Sequence, residues 1–419
     1  MMSIKRIMIL LAFANLHWVQ SQTITSGPPE PPLGKRWVLN PELSDEFNGT
    51  QIDTTKWFDY HPQWKGRVPG LFLASQVSVK DGFLQIKGEK MKKDTLIKNA
   101  NGEEKFTIAG GAVVSKKTVL FGYYESRIKA AATTMSATFW FSTNGKTKSL
   151  KECDKYSLEW DIHESIGRNG PFEGSYFANG MHSNSHYWYT DCNGEVHDYR
   201  APQVVFQNAE LSSENFNVYG GWWRDEQTAS YYYNNGEPKH QKFYSEINKK
   251  PFDRPMHMRL VSETYPFPWI ELPNDAELAD PTKNTVYYDW VRAYKLVEAN
   301  MPIPSSNNEP VIPLFNEQIL FHVAIINLVS KTILKIPIQY KAIEDREILL
   351  KLSDPEGKLI KETKFIAYTG YANLEYDMRI DKKLEPKSGY SLLAIIRPLN
   401  TKDPVDIDSS TLIINLKSK

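Results

Sequence analysis

Cysteine is nearly absent from this chain: 419 residues hold only Cys153 and Cys192. No cysteine or histidine grouping has zinc-finger or Cys-x-x-Cys spacing, which excludes a zinc module and a thioredoxin-like redox centre. Net charge is absent as well, since 50 basic side chains balance 50 acidic ones. That excludes the broad electrostatic grip on which nucleic-acid binding depends, while leaving room for a local basic pocket that takes one sulfate. Long apolar runs are missing apart from Ile7 to Leu16, which is too short to span a bilayer, so no membrane partner is expected. Sustained helical periodicity, tandem repeats and low-complexity tracts are also lacking. No tryptophan follows Trp290.

What is present divides the chain into segments. Lys5 and Arg6, the apolar run and a short polar stretch read as a signal peptide over residues 1–21, which implies a secreted or periplasmic protein. Export favours oxidised cysteine, so a Cys153–Cys192 disulfide is expected, with two independent thiols as the alternative. Residues 22–34 form a Pro-rich leader, expected to be flexible or extended. From 35 to 297 short alternating runs are broken by Gly, Asn, Asp and Pro, the pattern of an all-β antiparallel sandwich. A Pro/Ser/Asn-rich linker covers 298–312. Residues 313–419 turn aliphatic and strand-like, as in Ile333-Leu-Lys-Ile-Pro-Ile-Gln-Tyr, and suggest a C-terminal immunoglobulin-like β-sandwich. Without tryptophan, this second domain is expected to be an accessory or docking unit rather than a sugar-stacking module. A monomer is expected.

One stretch concentrates chemistry. Glu159-Trp-Asp161-Ile-His163-Glu164 places three carboxylates in six residues of an apolar, aromatic strand. Like charges repel, so a strand gains nothing from grouping them. A site that keeps one carboxyl protonated beside an ionised one gains much. Alternation puts Glu159 and Asp161 on one face and a regular strand would send Glu164 to the other. Convergence therefore requires one extra residue, absorbed as a β-bulge between Asp161 and Glu164. The bland alternative is a solvated acidic edge strand.

The pattern Glu-x-Asp-x-x-Glu resembles the bulged catalytic strand of glycoside hydrolase family 16, as in its agarases, porphyranases and κ-carrageenases. Ser44-Asp-Glu-Phe-Asn-Gly49, Lys56-Trp57, Val77 to Ile86, Phe121-Gly-Tyr-Tyr-Glu125 and Tyr287-Tyr-Asp-Trp-Val-Arg292 are similar to other family segments in the same order. Trp64-Lys-Gly-Arg67-x-Pro69 and Asn184-Ser-His186 resemble the agar-cleaving branch. The resemblance implies a curved jelly-roll β-sandwich with a cleft, and an endo-acting retaining hydrolase of β-1,4 linkages in agar-type red algal galactan, a β-agarase. The alternatives are a β-porphyranase acting on sulfated agar and, further behind, a κ-carrageenase or a laminarinase; the motif does not exclude laminarin cleavage, and only the flanking segments argue against it. A non-catalytic lectin-like glycan binder is the reading from a different class, and the intact trio speaks against it.

By the same resemblance Glu159 is the nucleophile, Glu164 the general acid and then base, and Asp161 the residue that tunes them. No cofactor is implied; relatives sometimes carry structural calcium, whose ligands are not evident here. Trp140 is expected on the cleft floor, Trp64 and Arg67 in a substrate-binding loop, and Glu263 and Tyr265 on a substrate-facing strand. Asn184 and His186 are expected to contact sugar. His182, four residues from His186, is compatible with a metal pair or a structural role. Trp222 and Trp223 alternate faces, so one is expected in the core and the other near the cleft.

Overall fold

Alternating apolar and polar residues dictate strands, and the computed structural model, which describes residues 26–99, 102–303 and 315–418, consists almost entirely of them. The signal-peptide segment 1–21 and linker residues 304–312 lie outside the described residues. Among these residues the one α-helix is Asp275–Ala279, started by a capping box between Asn274 and Glu277. Among the described residues no helix is long and apolar enough to cross a membrane.

Two sheets make the first domain, a jelly-roll β-sandwich. One runs in the order Val196–Arg200, Asn179–Thr190, Lys155–Ile166, Ser136–Ser142, Met256–Ser262, Gly102–Val119 and Trp57–Phe58. The facing sheet runs Lys239–Lys242, Thr228–Tyr233, Asn217–Trp223, Gly122–Lys129, Thr285–Glu298 and Lys35–Leu39. Their inner faces meet in a core of large rings, among them Tyr124, Phe139, Phe141, Trp160, Trp223 and Tyr231. Each such ring, once buried, contributes about 1.5–3 kcal/mol relative to exposure. The polar tips are satisfied: Trp160 Nε1 donates to Tyr231 Oη at 2.9 Å, and Tyr231 in turn to Gln241 at 2.8 Å.

The second domain is an immunoglobulin-like sandwich. Gln318–Leu320, Ile333–Ala342 and Gly370–Arg379 form one layer. Ile325–Val329, Asp408–Lys417, Tyr390–Pro398, Arg346–Ser353 and Leu359–Ala367 form the other, its first strand pairing parallel with its last in chain order. Ile336, Ile338, Leu350, Leu392 and Ile414 fill the space between them.

The two domains share a sheet. Lys35–Leu39 pairs on one side with Tyr294–Glu298, and its first three residues pair on the other with Tyr371–Asn373. It takes the place beside Gly370–Arg379 that a fourth strand fills in a constant-type immunoglobulin sheet. Arg36, 1% exposed in this seam, donates to the carbonyls of Thr369 at 2.6 Å and Met301 at 2.5 Å. The described part of the leader, 26–34, is docked along the same seam rather than free. Gly27 N donates to both oxygens of buried Glu125 at 3.0 and 2.9 Å, Trp37 Nε1 to Pro29 O at 2.8 Å, and Asn373 Nδ2 to Glu30 at 3.0 Å.

Cys153 and Cys192 form a disulfide. It ties the loop before Lys155–Ile166 to the loop after Asn179–Thr190, next to the pair Lys155–Thr190. With the cysteines 39 positions apart, the chain-entropy model gives this link about 4 kcal/mol.

Candidate active site

Regular pairing fails at one place in the carboxylate strand. Against Asn179–Thr190 the register shifts between Asp161 and Glu164, and against Ser136–Ser142 between Asp161 and His163. This is the bulge that the spacing requires. Trp160 enters the core; then Ile162 and His163, adjacent in sequence, both point at the facing sheet. His163 stacks on Tyr219 with ring centroids 3.5 Å apart. Ile162 and Trp160 press on Gly221, where an added Cβ would lie 2.7 Å from Ile162 Cγ1 and 2.8 Å from Trp160 Cη2. Two consecutive inward residues return Glu164 to the face of Glu159 and Asp161.

The three carboxylates then meet Trp64, Arg67, Trp140, Glu263 and Tyr265, with Thr138, around a cavity of about 200 Å³. Glu159 accepts from Trp188 Nε1 at 3.3 Å. Glu164 accepts from Asn184 Nδ2 at 2.5 Å and from Tyr265 Oη at 2.9 Å. Burial pushes the Glu164 carboxyl above its ordinary range, against those two hydrogen bonds. Asp161 is pushed well up, by burial first and then by the charges of Glu164 and Glu159. Glu263 is raised to about 7 by burial, opposed by Arg67, whose Nε donates to it at 3.1 Å.

Asn184 and His186 stand beside the carboxylates instead of lining the cavity. His186 Nε2 is 3.4 Å from Asp161 Oδ2 and 3.9 Å from Glu159 Oε1, and its Nδ1 is 2.7 Å from Asp198 Oδ1. Burial alone would lower this imidazole, but hydrogen bonding to Asp161 and Asp198 pushes it up to about 11. The ring is wedged between two acids, which favours its protonated form, and Arg200 holds the far oxygen of Asp198 at 2.7 Å. His182 goes elsewhere: it is buried, stacks on Phe177 at 4.4 Å, and its Nε2 faces the carbonyls of Tyr176 and Asn179 at 3.2 and 3.0 Å. The two histidines do not form a metal pair. Glu159, Asp161 and His186 do bring ligand atoms within 4.8 Å of one another, in a cluster where hydrogen bonding to Asp161 and Asp198 favours the protonated imidazole.

Sequence reasoning missed four residues. Trp188 shares the face of His186 by alternation and reaches the nucleophile candidate. Asp198 pairs with His186 from the neighbouring strand. Arg259, 1% exposed, lies under Trp140 with its guanidinium 4.9 Å from the ring, and its Nε is 3.0 Å from His61 Nε2. His61 packs edge-on against Trp64 at 5.7 Å, so one buried cation backs two walls of the cleft. Strand alternation from Glu263 through Val261 to Arg259 was the available signal. Trp223 is the core member of its pair, as expected, but Trp222 does not approach the cleft. It lies on the outer side of the facing sheet, 5.2 Å from Trp37, with Arg224 over it at 3.6 Å. Of the basic residues near the motif, Arg127 pairs with Asp289 and Arg168 with Glu277, each at 2.5 Å, and only Arg67 lines the cavity.

The family model for the glycoside hydrolase family 16 domain of beta-porphyranases A–D matches residues 37–296. The chain belongs to glycoside hydrolase family 16. Behind this family 16 domain, residues 319–409 match the porphyranase-associated domain. The chain is 62% identical to beta-porphyranase D of Zobellia galactanivorans over 390 residues, which cover 93% of this chain and 91% of that one. It is 38% identical to beta-porphyranase B of Phocaeicola plebeius over 64% of this chain and 88% of the relative. Among solved structures, the β-porphyranase from the human gut bacterium Bacteroides plebeius superposes with a TM-score of 0.58 at 38% identity, covering 64% of this chain and 95% of that one. Porphyranase B of Zobellia galactanivorans superposes with a TM-score of 0.54 at 32% identity over 65% and 98%. The family 16 domain is thus a glycoside hydrolase of the agarase- and porphyranase-like kind.

Proposed function

We infer that the chain is an endo-acting, retaining β-porphyranase that cleaves β-1,4-galactosidic linkages in sulfated agar-type galactan. One observation carries the choice of polymer: the 62% identity to a beta-porphyranase extends over both domains, 93% of the chain. The agarase activity expected from the sequence gives way to the alternative held beside it.

The reaction follows from the trio. A retaining pair works at a separation of roughly 5–5.5 Å. Glu159 attacks the anomeric carbon while Glu164, whose hold on its proton burial strengthens, gives that proton to the leaving glycosidic oxygen. Water then releases the glycosyl-enzyme, with Glu164 taking the proton back as base. Asn184 and Tyr265 hold Glu164 in its rotamer through both steps. Asp161, between the two with His186 behind it, moderates their repulsion. No step calls on a cofactor, and no site is assigned to calcium.

Arg67 supports the sulfated substrate. Its Nε is held by Glu263, its side chain is 40% exposed, and Phe267 and Trp64 flank the guanidinium at 5.1 and 5.5 Å. The two Nη groups, unbonded among the described residues, suit the fork geometry of a sulfate. Trp140 offers its face to the sugar ring. The protein is read as secreted or periplasmic and as acting alone.

Product analysis on porphyran, agarose, κ-carrageenan and laminarin tests the assignment. Reducing ends are expected from porphyran. Release from agarose with none from porphyran would restore the agarase reading, and binding without release from any polymer would favour a lectin. Glu159→Ala and Glu164→Ala should each abolish cleavage with the fold intact; wild-type rates in either sink the mechanism.

A further inference from the structure

The trio gathers three acids on one strand, yet among the described residues only His186 is ion-paired with any of them, through Nε2 to Asp161 and Glu159. Asp161 Oδ2 is buried and accepts no hydrogen bond from any other group. The direction in which this ring points therefore matters to the whole site. An imidazole can turn over about its Cβ–Cγ bond and present carbon where nitrogen was.

What fixes the ring stands on the next strand. In the pairing of Asn179–Thr190 with Val196–Arg200, His186 lies opposite Arg200 and Trp188 opposite Asp198. Alternation puts all four on one face. Asp198 thus reaches His186 along the diagonal, a neighbour relation of antiparallel strands, and its Oδ1 takes Nδ1 at 2.7 Å. Trp188 closes another side, its ring within 8° of parallel to the imidazole at 5.4 Å. Val196–Arg200 ends its sheet, and the turn before it is anchored. Asp191 Oδ1 accepts there from the backbone N of Asn193 and Glu195 at 2.8 and 2.9 Å, and Cys192 is bonded to Cys153.

Which nitrogen of a histidine carries the proton is set by the bond that the other makes. An ionised carboxylate only accepts, so Asp198 keeps a proton on Nδ1 whatever the charge of the ring, and Nε2 is left to Asp161 and Glu159. We propose that Asp198 is a positioning residue of the hydrolase: acting through His186, it aims Nε2 at the acids and so holds Asp161 and the nucleophile in their working arrangement. The proposal rests on the retaining role inferred for the trio and requires no contact between Asp198 and sugar. The charged groups that face the ring are Glu159, Asp161 and Glu164 from one strand and Asp198 with Arg200 from the other. Of these only Asp198 holds Nδ1.

The test compares Asp198→Ala and Asp198→Asn with the wild type as intact chains. Asp198→Ala frees the ring and should lower kcat on galactan oligosaccharides by about tenfold or more, with KM within about twofold, because small misplacements of reacting groups are costly. Asp198→Asn keeps an oxygen that accepts from Nδ1–H and should recover most of that loss. In the same Asn variant a neutral acceptor replaces a charged one, so the His186 imidazole, followed by NMR, should titrate about one pKa unit below the wild type. This measurement carries the test if Asp198→Ala fails to fold. An imidazole that titrates as in the wild type in folded Asp198→Asn overturns the proposal, and so does a wild-type kcat in folded Asp198→Ala. A raised KM at unchanged kcat also overturns it, since Asp198 would then be binding substrate. A wild type that hydrolyses no galactan rejects the inferred activity; failure of this proposal alone leaves the wild type active.

Discussion

Replacing Tyr265 by phenylalanine removes one hydroxyl and keeps the ring against Phe267, 5.2 Å away. That hydroxyl donates to Glu164 Oε1 at 2.9 Å in a buried setting, so it favours the ionised carboxylate. Its loss therefore raises the Glu164 pKa further. A hydrogen bond to a charged acceptor is worth about 1.5–3 kcal/mol, and one pKa unit corresponds to about 1.4 kcal/mol. The bond from Asn184 remains, so an upward shift of about one unit is expected. In glycosylation Glu164 must be protonated, hence the alkaline limb of the kcat/KM profile should move up by about that amount. Deglycosylation needs the ionised form, so kcat at the acidic end should fall as well. Asn184→Ala should move the limb the same way and further, since its bond opposes burial more strongly. The assay is a pH–rate profile on a soluble porphyran oligosaccharide. An alkaline limb that stays put, or moves down, in Tyr265→Phe would refute the idea that Tyr265 sets the proton affinity of the acid.

Arg67→Met should raise KM for sulfated oligosaccharides by about tenfold or more, because a charge-assisted fork is lost; equal KM values for wild type and variant would remove Arg67 from the sulfate site. The same change takes the cation from Glu263, whose pKa should climb beyond its present value of about 7. Titration of that carboxyl by NMR would show it. Gly221→Ala forces a methyl against Ile162 and Trp160. Overpacking of this kind costs about 1–3 kcal/mol, read as a lower denaturation midpoint, and it pushes on the bulge, so activity per folded molecule should drop too. A variant as stable and active as wild type would mean that the bulge does not depend on that contact.

The carboxylate trio and its bulge were legible in the sequence because strand alternation is a strict rule: Glu159 and Glu164, five positions apart, cannot share one face without an extra residue. The disulfide was legible because a chain with two cysteines has one internal pairing to make. Alternation fails, however, where the layer matters as well as the face. It separated Trp222 from Trp223 but could not say that the outer side of that sheet packs on Trp37. The docking of the leader was invisible for a different reason. Its partners Glu125 and Asn373 lie 98 and 342 positions from the residues they hold, far beyond any local pattern. Arg259 and His61 escaped notice because alternation, which carries the cleft face from Glu263 to Arg259, does not say that the cation there is buried against His61 and Trp140. The polymer was the least legible of all, since agarases and porphyranases build the same trio and differ in the groups around it.

The strand Lys35–Leu39 has a consequence for synthesis. Its partner Tyr294–Glu298 emerges about 260 residues after it, and Tyr371–Asn373 about 75 residues later still. At about 5–20 residues per second of translation, the first domain waits roughly four to fifteen seconds with its outermost strand bare on one side. A bare strand edge invites pairing with another chain. Nascent molecules of this enzyme are therefore vulnerable to one another for as long as the second domain is unfinished, and that domain acts in part as a lid on an aggregation-prone edge.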